Sequence, residues 1–136
     1  MRKLVICLVG SLILTGCATT RKSASLAQSG LAGRWHIESA MGKSTTGVRK
    51  SPYIVFDNQG KVNGDASVNR FHGGYTLKGD SLQFSRLGMT MMMDPHMEVE
   101  QAVVEALNEA RTLKLRKGRL LLRDARRKEV MVLVRE

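Results

Sequence analysis

Apolar residues in this chain recur at every second position in short runs and only once at helical spacing. That contrast limits the fold more than any other feature. In Arg34-Trp35-His36-Ile37-Glu38 the alternation puts Trp35 and Ile37 on one face of a half-buried strand and His36 on the polar face. Gly42 to Ser51 is polar and reads as a loop. Pro52 then admits Tyr53-Ile54-Val55-Phe56, and the turn Asp57-Asn58-Gln59-Gly60 sends Lys61 to Ala66 back as a hairpin. Phe71 to Lys78 and Ser81 to Leu87 flank Gly79-Asp80, a second hairpin signal. Leu113 and Leu115, then Leu120 and Leu122, alternate with basic residues around Lys117-Gly118, and Glu129 to Val134 forms a last apolar strand.

The exception is Val99, Val103, Leu107 and Ala110, with Ala102, Val104 and Ala106 beside them and Glu98, Glu105 and Glu109 away from the stripe. Asp94-Pro95 is the expected start, Asp as N-cap and Pro in the first turn. About eight short strands and one helix follow, in a chain with no internal repeat. Hairpin-length connections predict an α+β, mainly β fold: a compact curved antiparallel sheet packed around one α-helix.

The N-terminus is of another kind. Arg2 and Lys3 precede an apolar run from Leu4 to Leu14, and Leu14-Thr15-Gly16-Cys17 ends it as a bacterial lipoprotein signal ends. Eleven residues at about 1.5 Å each reach roughly half of a ~30 Å hydrocarbon core, too short for a transmembrane helix. The expectation is a signal peptide over 1–16, acylation (palmitate among the chains) of Cys17, a flexible tether over 17–30 and one domain over 31–136. Several acyl chains on Cys17 imply a stable membrane anchor. Ala18, in the common enterobacterial sorting pattern, goes with release to the outer membrane, which places the domain in the cell envelope facing the periplasm. Cys7 and Cys17 are the only cysteines, so the folded part is expected to lack a disulfide.

Ser67-Val68-Asn69-Arg70-Phe71-His72-Gly73-Gly74-Tyr75, after the hairpin Phe56-Asp57…Gly60…Val62-Asn63-Gly64, resembles the "G-C-N-R-F-x-G-x-Y" segment of META/HslJ-like domains. Met89-Thr90-Met91-Met92-Met93-Asp94 resembles their "T-R-M-x-C" segment. Met97-Glu98-x-Glu100 through Leu107-Asn108 follows as their helix does, and Trp35 sits where the opening strand carries an aromatic. The resemblance runs from about Leu31 to Val134. It implies an antiparallel sheet curved around a helix and a link to envelope stress and drug resistance, with no shared enzymatic activity. The family's two motif cysteines, which can lie close enough to pair, are replaced by Val68 and Asp94. A disulfide is worth about 2–4 kcal/mol. The expected partial replacement is Val68 packing into the core and Asp94 capping the helix for roughly 1 kcal/mol. Met91 stands where the family has a basic residue, so no role carries over there.

Candidate chemistry is sparse. Asn69, Arg70, Phe71 and Thr90 are the motif residues, and they read as structural: Asn69 tying a turn to backbone, Phe71 entering the core. Met89, Met91, Met92, Met93, His96 and Met97 suggest an alternative, a periplasmic copper-binding protein, because thioethers select Cu(I). Gap-filling by methionine is the plainer reading. His36, His72 and His96 lack zinc-site spacing, and no other metal site or cofactor is expected. Ser67 near His72 has no G-x-S-x-G elbow, carboxylate dyad or catalytic cysteine to support it, so no enzyme is expected. Net charge is +10, or +8 without Arg2 and Lys3, and basic residues gather at Lys114, Arg116, Lys117, Arg119, Arg123 and Arg126-Arg127-Lys128. No aromatics interleave with them, which argues against nucleic acid. Anionic phospholipid or lipopolysaccharide phosphate suits them, as does an ordinary solvated face. The expected function is envelope homeostasis under stress through binding another envelope protein or component. A small inhibitor module, as in lipoproteins that block lysozyme, is weakened because lysozymes are also basic.

Overall fold

The computed structural model describes residues 28–136; Cys17, the leader and residues 17–27 of the expected tether lie outside the described residues. One helical turn, α1 (Gln28–Leu31), leads into β1 (Gly33–Ala40), and the two-residue β2 (Lys43–Ser44) folds back on it. β3 (Tyr53–Phe56), β4 (Lys61–Asp65), β5 (Arg70–Lys78) and β6 (Ser81–Phe84) form a meander, and β7 (Gly88–Met89) pairs with the start of β5. Then come α2 (Glu98–Glu109), β8 (Thr112–Arg116), β9 (Arg119–Arg123) and β10 (Glu129–Arg135).

All pairings are antiparallel, and β10 returns to β1 with Trp35 opposite Arg135 and Ile37 opposite Leu133. The sheet therefore closes as a ring, β1-β3-β4-β5-β6-β8-β9-β10, whose eight strands match the number read from the alternation. One contact in this ring is thin: β6 meets β8 only at Ser81 opposite Thr112. Among the described residues no helix is long and apolar enough to cross a membrane.

The period-two pattern fills the ring. Trp35, Ile37, Ile54, Phe56, Val62, Phe71, Tyr75, Leu82, Leu113, Leu120, Leu122, Met131 and Leu133 are buried, and α2 adds Ala102, Val103, Ala106 and Leu107 against β1 and β10. Phe56 meets the edge of the Tyr75 ring at 5.0 Å between centroids, and the Trp35 indole N–H donates to the Leu31 carbonyl at 2.8 Å. Gly64 is required where β3, β4 and β5 press together: a Cβ there would lie 2.2 Å from the Tyr53 carbonyl oxygen and 2.5 Å from the Phe71 ring.

Antiparallel alternation around a closed ring also sorts the connections. The starts of β1, β4, β6 and β9 and the ends of β3, β5, β8 and β10 share one rim, the entry rim, with turns 57–60, 79–80 and 117–118. The opposite rim carries turn 66–69, loop 124–128, the long segments 41–52 (with β2) and 85–97 (with β7), and the start of α2.

The helix begins later than its sequence signals suggest. Met97 is the N-cap and contributes no side-chain cap bond, whereas Asp94 Oδ1 accepts the His96 N–H at 2.8 Å in a local turn. The expected Asp94 cap is therefore absent. The chain before α2 stays in a loop, where the Thr90 N–H is bonded to β5 and both backbone groups of Met92 are bonded to Asn69.

Candidate functional site

Asn69 has no side-chain function left unpaired. Its Nδ2 donates to Glu100 Oε1 at 2.7 Å and to the Met92 carbonyl at 2.9 Å. Its Oδ1 accepts from the Met92 N–H at 2.6 Å and from the Thr90 hydroxyl at 2.8 Å. Glu100, buried in the first turn of α2, takes the other half of the load: Oε2 accepts the Val68 N–H at 3.0 Å and the Asn69 N–H at 2.6 Å. A carboxylate at a helix N-terminus also meets the positive end of the helix dipole. Three chain segments are thereby fixed to one another: turn 66–69, the methionine loop and the helix.

The turn has its own supports. Asp65, fully buried, accepts the Ser67 N–H at 2.9 Å through Oδ1 and pairs with Lys50 through Oδ2. The Ala66 N–H donates to the Asn69 carbonyl at 2.8 Å, and Ser67 takes a left-handed φ of 103°. Thr90 extends the hub to β5, accepting the Arg70 N–H at 3.0 Å on its hydroxyl and donating its own N–H to the Arg70 carbonyl at 3.0 Å.

The structure places three of the four motif residues in this network or in the core. Asn69 ties backbone, Thr90 joins it, and Phe71 is buried in the core. Arg70 uses its backbone here while its side chain is exposed. Glu100 went unread as a member of this group. The available signal was its position three and seven residues before Val103 and Leu107, an acid on the buried face of the helix.

Above the hub opens a cleft of about 670 Å³, walled by loop residues Gly47 to Lys50, by Ser67 and Val68, by Met92 and Met93, and by Val99. Val68 and Asp94 both line it. Val68 is half-buried in this wall instead of in the core, because the turn that Glu100 holds lies at the rim. The methionines divide. Met89 packs against the core, whereas Met91, Met92 and Met93 are 87%, 56% and 88% exposed. His96 is exposed beside them, His36 is half-buried on β1 and His72 is exposed on β5. Among the described residues no three His, Cys, Asp or Glu side chains could share a metal ion. A second cleft, about 630 Å³, lies at the β6–β8 seam between Ser81–Leu87 and Leu107–Arg111, and none of the four motif residues lines it.

A small closed antiparallel ring with one internal helix and a motif-bearing loop at its rim defines the class. The family model of the META domain matches residues 24–136, and the chain belongs to that family. It is 30% identical over 129 residues to the heat shock protein HslJ of Escherichia coli (strain K12), covering 93% of this chain and 91% of that protein. A protein structure solved by NMR superposes with a TM-score of 0.61 at 26% identity, over 76% of this chain and 89% of that one. An NMR structure of a protein from Burkholderia xenovorans gives 0.59 at 20% identity, over 82% and 88%. The crystal structure of a DUF4847 family protein from Bacteroides vulgatus gives 0.58 at 17%, over 78% and 94%. The last two speak for the fold alone.

Proposed function

We propose that this META-domain protein is a non-enzymatic lipoprotein of the bacterial envelope, anchored through Cys17, that serves the stress response by binding another envelope component at the cleft above Asn69. The stress assignment draws on its likeness to a heat shock protein. The observation that carries the binding reading is the pairing of a fixed backbone with an apolar surface. Both amide ends of Asn69 hold the loop, and that loop presents Met91, Met92 and Met93 to solvent beside the cleft. Exposed methionines on a rigid support offer adaptable, polarizable contact area at little ordering cost.

The test is photo-crosslinking in cells, with a photoreactive side chain in the full-length chain at Met93 and, for comparison, at exposed Lys61 near the entry rim. A discrete protein adduct from Met93 that Lys61 does not give is the expected result; identical patterns from both positions overturn the reading. Copper handling is the second reading, favoured by the exposed thioethers next to His96. Replacing Met91, Met92 and Met93 together by Leu keeps the apolar surface and removes the sulfur. The adduct then persists under the binding reading, whereas Cu(I) binding at micromolar affinity or tighter, lost in this variant, would establish the copper role.

A further inference from the structure

The β8–β9 hairpin carries an apolar side chain that the ring does not cover. Leu113 is buried, yet Leu115, two residues on and on the same face of β8, is 47% exposed. The thin β6–β8 contact explains it: with Ser81 opposite Thr112 the last pair, residues 114–116 run past the 79–80 turn and have no strand on that side. Lys114 and Arg116, next to Leu115 in the strand and on its other face, and Lys117 at the turn are all exposed, and none engages an acid among the described residues. Lys117 and Gly118 take φ of 50° and 76°, which makes the tip a tight two-residue turn. The tip projects, and none of the clefts described above includes it.

This tip lies on the entry rim. Leu31 is buried at the same rim, and the Arg135 guanidinium donates to the carbonyls of Ala32 at 2.8 Å and Gly30 at 3.1 Å, fixing where the chain enters the ring. Twelve residues separate Gly30 from Cys17, and the thirteen Cα–Cα steps span at most about 45 Å. We propose that the β8–β9 tip rests on anionic phospholipid, with Leu115 inserted between headgroups and Lys114, Arg116 and Lys117 on their phosphates. This rests on the lipoprotein reading of Cys17. Cations paired with an inserted apolar side chain match an interface that offers phosphate above hydrocarbon. Docked in this way, the molecule turns the opposite rim, with the methionine loop and its cleft, away from the lipid. Arg126, Arg127 and Lys128 are on that far rim, so charge alone does not choose the face. The entry point and Leu115 do.

The chain lacks cysteine beyond Cys7 and Cys17, so one added thiol reports one place. Full-length protein purified from membranes carries Leu115→Cys or Met92→Cys, labelled with an environment-sensitive fluorophore. It is reconstituted in vesicles of phosphatidylglycerol with phosphatidylcholine, and in phosphatidylcholine alone. The expected result is a 115 probe shielded from an aqueous quencher in the anionic vesicles only, and a 92 probe quenched in both. High salt removes the shielding, and each reversal among Lys114→Glu, Arg116→Glu and Lys117→Glu lowers the docked population about fivefold or more. Equal quenching at both positions, or shielding at 92 instead of 115, overturns the proposal. The mass of the N-terminal peptide reads acylation separately. A bare Cys17 refutes the anchor; the 115 probe is then read again with Cys7→Ser and Cys17→Ser, where shielding supports the tip and quenching overturns it.

Discussion

Glu100 shows how much of this site depends on one side chain. Its carboxylate is the sole described acceptor for the Val68 and Asn69 N–H groups and takes one proton of the Asn69 amide. Glu100→Ala leaves the buried Asn69 donors and the half-buried Val68 N–H without that acceptor, at a cost of about 3 kcal/mol. In a domain of this size the melting temperature should fall by about 10 °C or more, while exposed Glu98→Ala should move it little. Asp94→Ala is the converse case. The sequence marks Asp94 as a cap, but its only described bond closes an exposed local turn, so thermal unfolding should change by less than about 0.5 kcal/mol. The reason is competition: Asn69 holds the Met92 backbone in a loop, and the helix cannot begin until that tie is left behind.

At the scale of elements, the strands are set by period and turn chemistry, and their close approach by small residues. β4 lies between β3 and β5 with Gly64 opposite Ile54 on one side and Phe71 on the other. Gly64→Ala would drive its methyl into the Tyr53 carbonyl, a backbone atom that cannot rotate aside. Overpacking of this kind costs about 1–3 kcal/mol, and chemical denaturation should show a lower midpoint with an unchanged slope. The strands themselves were legible from alternation, as buried Trp35 and Ile37 show, although Leu121 is buried between Leu120 and Leu122 and Leu115 is exposed against the pattern. β2 and β7 were not. Two-residue pairings carry no period, and each exists because a longer strand offers a free edge beside it.

For the whole molecule, closure of the ring is uneven. β1 and β10 pair from Trp35–Arg135 to Ala40–Met131, whereas β6 and β8 share one residue pair and two flanking backbone bonds, Leu82 N–H to Arg111 O at 2.9 Å and Leu113 N–H to Asp80 O at 2.8 Å. The seam should be the first part of the ring to open. Native-state hydrogen exchange should find Leu82 and Leu113 amides exchanging through a smaller opening free energy than amides along β1 and β10. Equal protection on both sides would mean that opening is global.

Local information settled which residues face inward, where the hairpins turn and that a single helix interrupts the strands, because strand and helix periods and turn propensities are properties of neighbours in the chain. Only the tertiary structure decided that β10 pairs with β1, that Glu100 reaches Asn69 from 31 positions away, and that loops near 48, 68 and 93 wall one cleft. Those are choices of partner among distant segments. They are made by burial and hydrogen-bond satisfaction across the closed ring, on which no stretch of neighbouring residues carries information.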